Sequence, residues 1–227
     1  MEKTLTASLV NANCFDEPSG FMNKELTRIC FVRHGETDWN IEQRMQGHID
    51  LALNANGAAQ AVAAGRYFAS LQASALYSSD LLRARQTAQA VSDALHLPII
   101  LLPALRERHF GRCEGMTFDE IAAKYGEDAR AIEHRDPDYV TPKGGESIRQ
   151  HQTRILDCVG GLVSAHPGQT IVVVTHGGVL DVIYRRVHGL PPETPRTYPI
   201  PNTGINWVSI DGEQWSIEHW GDTEHLE

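Results

Sequence analysis

Arg33 and His34 follow directly on the apolar run "ICFV" and precede Gly35; the event recurs at "VVVTHGG", where His176 closes an apolar run ahead of Gly177. A neutral imidazole offers one lone pair and one N–H, so two of them in one crevice could supply a nucleophile and a partner for an oxyanion. Glycine after each histidine lets a ligand approach the backbone and leaves the next amide N–H groups free to point at an anion. Arg83, in "SSDLLRARQTA", adds a guanidinium that can join Arg33 in a forked grip on a tetrahedral oxyanion. Glu107, in "LRERHFG", brings one carboxyl group into this cationic company, and facing a bound phosphate it is suited to act as a general acid. Taken singly, each is an ordinary residue: a histidine beside a strand, an arginine on a helix, an acid in a charged loop. Their shared chemistry, a pocket for a phosphoryl group, requires one edge of one fold to collect them all.

The pattern of elements supplies such an edge. "ICFV" (29–32), "ALY" (75–77), "PIILL" (98–102) and "TIVVVT" (170–175) are short continuous apolar runs, as expected of strands buried on both faces. Helical patterns alternate with them. Asn54 is the expected N-cap of a helix with Ala58, Ala61, Val62, Gly65 and Phe68 on its inner stripe. Asp80 is the expected cap of the next, which carries Leu82, Ala84, Thr87, Ala88, Val91 and Leu95. Thr117 and Glu120 form a capping box before "FDEIAAKYG"; Ile148, Ile155, Val159 and Leu162 mark a long helix; and "GGVLDVIYRRVHG" stops at Gly189. "INWVSIDGEQWSIEHW" reads as a hairpin turning at Asp211 and Gly212. The predicted fold is an α/β three-layer sandwich, with a mostly parallel central sheet, helices on both faces and an antiparallel edge. In such sheets ligands bind beyond the carboxyl ends of the strands, where Arg33, His34 and His176 fall.

Composition narrows the classes. The chain has 227 residues, 41% hydrophobic and 22% charged, enough for one substantial core. Residues 1–26 lack periodicity and read as an N-terminal leader, with residues 27–227 as the catalytic domain. A net charge of -9 argues against a general nucleic-acid binder, and no apolar run is long enough to span a membrane. Cys14, Cys30, Cys113 and Cys158 form no Cys-x-x-Cys pair, which fits reduced thiols in a cytoplasmic protein. A metal hydrolase could draw on the eleven histidines, but arginines at the presumed site repel a dication and no ligand spacing of the His-x-x-x-His kind occurs, so no metal and no cofactor are expected. A non-catalytic phosphate-binding module would be expected to lack His34 or Glu107, and both are present.

At this point "VRHGETDWN", "QRMQGHIDLALNANG", "SSDLLRARQTA", "LRERHFGRCEG", "GGES" and "VTHGG" together resemble the histidine phosphatase superfamily in its phosphoglycerate mutase-like branch, from about Arg28 to the closing "GDTEH". The resemblance implies a phosphoglycerate mutase-like fold, no metal, and a phosphohistidine on His34. It further implies that Arg33, Arg83 and His176 hold the phosphoryl group and that Glu107 is the proton donor. Asn40, Gln46, Gly47 and Gly177 would line the pocket, with His109 and Phe110 of "ERHFG" among the substrate contacts. His34 would hold its proton on the far nitrogen, toward a backbone carbonyl, leaving the other lone pair for attack.

Two activities share this apparatus: hydrolysis of a phosphomonoester, and 2,3-bisphosphoglycerate-dependent transfer between positions of phosphoglycerate. The mutases usually show Tyr where this chain has Phe110, Lys where it has Phe118, and an adjacent arginine pair where "EHRDPDY" offers only Arg135. Fewer carboxylate-binding cations should release a bisphosphorylated intermediate and admit water, which favours a phosphatase. Phe110 and Phe118 would make the outer pocket more apolar and the substrate range broad. The expected partner is a small phosphorylated metabolite, with no nucleic acid and no membrane; a homodimer is the assembly to test.

Overall fold

The computed structural model describes residues 26–227; the leader, apart from Leu26, and Cys14 lie outside the described residues. In chain order the regular elements are β1 (Thr27–Arg33), α1 (Asp38–Ile41), α2 (Ala55–Phe68), β2 (Ala75–Ser78), α3 (Leu82–Leu95), β3 (Ile99–Leu101), α4 (Phe118–Lys124), α5 (Gly126–Glu133), α6 (Ile148–Ala165), β4 (Thr170–Thr175), α7 (Gly177–His188), β5 (Ile205–Asp211) and β6 (Gln214–Asp222). They form one six-stranded sheet in the order β3-β2-β4-β1-β5-β6. The first four of these strands run parallel, and β5 and β6 add the antiparallel edge.

Period-two alternation in the apolar strands builds two cores. Ile29, Phe31, Ile171 and Val173 face α6 and α7, where Ile155, Val159, Val179, Leu180 and Ile183 meet them. Cys30, Val32, Val172 and Val174 face α2 and α3, against Phe68, Ala84, Ala88 and Val91. Both faces of β1 and β4 are therefore covered, and their polar residues emerge at the strand ends; β3, expected to be buried on both faces, is instead an edge strand with Ile100 and Leu101 exposed.

Several local expectations hold and others are corrected. Asn54 caps α2 by accepting from Gly57 N, the Thr117–Glu120 box opens α4, and Gly189 ends α7 at φ 62°. Ala58 and Val62 do not join the inner stripe of α2: Val62 is 51% exposed, and Gly57 and Ala64 are buried instead. Asp80 does not cap α3, because both its oxygens are taken by Arg106. Asp50, remote in sequence, accepts the Leu82 amide N–H at 2.5 Å in its place. The hairpin turn lies one residue later than expected, at Gly212 and Glu213, since Asp211 pairs with Gln214 in the ladder.

Candidate active site

Because β1 and β4 are parallel neighbours in register, Arg33 opposite Thr175, the residue after each strand falls at the same height on the same edge. The His34 amide donates to Thr175 O at 2.9 Å, and the two imidazole rings lie 5.2 Å apart, tilted by 56°. His34 is 3% exposed and His176 fully buried. Burial, reinforced for each by the nearby Arg83 and Arg33 cations, holds both imidazoles well below the usual histidine range, so both are neutral. His34 Nδ1 lies 2.7 Å from Gly35 O; since a carbonyl only accepts, Nδ1 carries the proton and Nε2 keeps its lone pair. His176 Nε2 contacts Ser79 Oγ at 2.7 Å.

The guanidinium groups are anchored by backbone carbonyls. Arg33 Nη1 donates to Ile200 O at 2.6 Å; Arg83 donates to Ile49 O at 3.0 Å and Gly47 O at 2.8 Å. Burial lowers both arginines to about 10, and each remains a cation at neutral pH. Five buried polar atoms here have no partner among the described residues: Arg33 Nε, Arg83 Nε, His176 Nδ1, His151 Nε2 and Gln46 Oε1. Buried polar groups are rarely left so. Arg33 Nε, Arg83 Nε and His176 Nδ1 form a set that a phosphoryl group's oxygens would complete when His176 carries its proton on Nδ1 and accepts from Ser79 Oγ at Nε2.

Glu107 closes the other side. Its Oε2 accepts from Gly178 N at 2.8 Å and its Oε1 from Arg108 N at 2.7 Å. Gly178 is required there: a Cβ on it would lie 2.0 Å from Glu107 Oε1, whereas one on Gly177 would rest at 3.6 Å from Arg33 Nε. Together Arg33, His34, Asn40, Gln46, Gly47, Arg83, Glu107, Phe110 and Gly177 line a cleft of about 510 Å³. Asn40 also closes a capping box with Thr37 at the start of α1. His109 stands apart from this wall; its Nδ1 accepts from Gly111 N and its ring packs edge-on against His48. Phe118 opens α4 at 37% exposure, likewise outside the cleft wall.

The reading from sequence missed several neighbours. Ser79 orients His176 and sits at the end of β2, so the same strand-end rule could have found it. Glu114 Oε1 accepts from His48 N and Phe110 N, and it occupies the space a side chain at Gly47 would need. His151, Asp181, Arg108, Arg135 and Arg196 also reach the cleft. Arg135 is tied to Asp181 at 2.7 Å, whereas the Arg108 guanidinium lies over the Phe110 ring at 4.5 Å, and neither Arg108 nor Arg196 has an ion-pair partner among the described residues.

A neutral imidazole with a free lone pair, flanked by two buried guanidinium groups, a second imidazole and one carboxyl group, is an arrangement that could hold and transfer a phosphoryl group. Residues 29–223 match the pattern of the histidine phosphatase superfamily (branch 1), and the chain belongs to that superfamily of enzymes. The metal-independent phosphoserine phosphatase of Arabidopsis thaliana is 38% identical over 207 residues, covering 90% of this chain and 85% of that protein. Phosphoglycerate mutase-like protein 4 of the same plant is 38% identical over 216 residues, 93% of each chain. Among solved structures, Bacillus stearothermophilus YhfR superposes with a TM-score of 0.82 at 33% identity, over 88% of this chain and 100% of that one.

Proposed function

We propose that this protein is a phosphatase that hydrolyses small phosphomonoesters through a phosphohistidine on His34. The observation that carries the reading is the set of unpartnered buried nitrogens, Arg33 Nε, Arg83 Nε and His176 Nδ1, gathered around a neutral His34 whose Nδ1 proton is committed to Gly35 O. In the first step His34 Nε2 attacks phosphorus. The ester P–O bond breaks with its electron pair moving to the alcohol oxygen, which takes a proton from Glu107. Arg33, Arg83 and His176 neutralise the equatorial oxygens while charge redistributes. In the second step water attacks phosphorus, Glu107 takes its proton, and the P–N pair returns to Nε2.

The outer cleft favours anionic members of this substrate class. Phe110, Ile132, Ile148 and Val182 give it apolar patches, but Arg108 and Arg196 stand there without ion-pair partners among the described residues. A carboxylate on the leaving group would find both, which accords with the name of the phosphoserine phosphatase relative. A cytoplasmic location belongs to the proposal, supported by the free thiols of Cys30, Cys113 and Cys158. No described helix is long and apolar enough to cross a membrane.

The test is incubation with a panel of phosphomonoesters, phosphoserine among them, and separately with 3-phosphoglycerate plus 2,3-bisphosphoglycerate. Free phosphate from the panel with no 2-phosphoglycerate from the second mixture is expected. Rapid 2-phosphoglycerate formation without net phosphate release would make the protein a mutase instead.

A further inference from the structure

Glu107 sits on a segment with no helix or strand to hold it: after a single 3-10 turn at Pro103–Leu105, residues 106–110 are irregular. A proton donor must nevertheless be fixed to well within an ångström of the departing oxygen. The restraint comes from α6. Arg154, two turns into that helix, gives Nη1 to Ala104 O at 2.8 Å and to Arg106 O at 3.0 Å, and Nη2 to Glu107 O at 3.2 Å. The same guanidinium holds Glu146 through Nε at 2.8 Å and Nη2 at 2.7 Å. Glu146 completes the strap: its Oε2 accepts from His109 N at 3.0 Å, and its own amide donates to His109 O at 2.8 Å. One side chain thereby gathers the backbone on both sides of Glu107, three carbonyls directly and residue 109 through Glu146. A planar fork of five donors can do this; a lysine ammonium cannot reach the same set.

We propose that Arg154 is the positioning residue of the Glu107 acid, acting through the backbone of residues 104–109 and never touching substrate. The proposal rests on the reading of Glu107 as proton donor given above. Its signature is selective in kcat/KM, which reports the steps up to departure of the leaving group: there only a leaving group that needs a proton suffers when the donor drifts, whereas the water step, in which Glu107 is the base, is common to all substrates and enters kcat alone. An alkyl monoester releases a strongly basic alkoxide, whereas p-nitrophenyl phosphate releases a phenolate that departs without protonation. The ratio of the two activities, taken on one preparation, does not depend on the fraction of protein that is folded.

The experiment measures kcat and KM for p-nitrophenyl phosphate and for the alkyl monoester that turns over fastest in the panel, in wild type, Arg154→Met, Arg154→Lys and Glu107→Gln. Arg154→Met is expected to lower kcat/KM on the alkyl ester by about 10- to 100-fold. Its kcat/KM on p-nitrophenyl phosphate should stay within about 2-fold, with Arg154→Lys falling between Arg154→Met and wild type on the alkyl ester. Glu107→Gln should shift the ratio in the same direction and further, by about 100-fold or more. If Arg154→Met slows both substrates equally while Glu107→Gln shifts the ratio, Arg154 is only a structural support and the proposal fails. If Glu107→Gln leaves the ratio unchanged, Glu107 is not the acid, and the positioning role falls with it.

Discussion

Gly178→Ala separates the needs of the fold from those of the chemistry. In the native site the Gly178 amide donates to Glu107 Oε2 at 2.8 Å. A methyl group on Gly178 would stand 2.0 Å from Glu107 Oε1, and ordinary contact begins at 3.4 Å, so the oxygen must retreat by about 1.4 Å (3.4 minus 2.0). The atom displaced is the end of a flexible side chain, so the backbone need not move. Gly178 is the second residue of α7, its φ is not positive, and alanine is favoured over glycine in a helix by up to about 1 kcal/mol. Gain from helix propensity and loss of one carboxylate contact roughly offset each other, and Tm should change by only a few degrees. Activity should not be spared. A displacement above 1 Å at a proton donor costs on the order of 100-fold in kcat, or about 2.7 kcal/mol in barrier, on substrates that need protonation. Gly160→Ala on α6 is the control, since its methyl would meet nothing within 4 Å. Paired thermal melts and steady-state kinetics on an alkyl phosphomonoester decide the matter. A Gly178→Ala enzyme that keeps wild-type kcat, or two variants impaired alike, would refute the claim that Glu107 must stand where Gly178 leaves room for it.

Two further predictions concern the imidazoles. Brief exposure to a 32P-labelled monoester should leave acid-labile label on wild type and none on His34→Ala, while His176→Ala is labelled more weakly; label surviving His34→Ala would remove His34 as nucleophile. Stability should fall as pH drops. Burial, with the Arg154 and Arg108 cations adding to it against Glu107, lowers His151 from 6.5 to about 4, so the unfolded chain binds the extra proton between those values. The stabilisation is complete above about pH 7 and lost progressively toward pH 4, on the order of 3 kcal/mol for this group at 1.36 kcal/mol per pH unit. His34 and His176, also depressed, act in the same sense. Thermal melts at pH 7.5 and 5.0 should show a drop that is smaller in His151→Leu; an identical drop in that variant would remove His151 from the account.

What could be read from the sequence divides along a physical line. β1, β2 and β4 were legible because burial on both faces demands unbroken apolar runs, and the placement of Arg33, His34 and His176 followed because polar residues appear where the runs of β1 and β4 stop. The adjacency of β1 and β4 did not follow from any run: it rests on pairing between segments some 140 positions apart, and the motif resemblance supplied it. Asp80 failed as a cap for the related reason that local helix grammar cannot see a distant competitor, here Arg106, or a distant substitute, here Asp50. α5 escaped notice because its buried face is partly ionic. Asp128 is fully buried on Arg112, Tyr139 and Cys113, a pattern that hydrophobic periodicity does not register.

The same division explains the shape of the active site. In the proposed mechanism the side chains that meet the phosphoryl group stand on strand ends and helix starts, which the sheet fixes directly. The acid stands on irregular backbone and depends on remote partners: Arg154 and Glu146 behind it, His48 Nε2 on its carbonyl at 2.8 Å, and the bare Cα of Gly178 in front. Gripping a phosphoryl group is therefore a property of the fold's topology, whereas delivering a proton is a property of one loop and its restraints. Changes confined to residues 104–109 and their partners should alter which leaving groups are tolerated before they alter whether phosphate is bound.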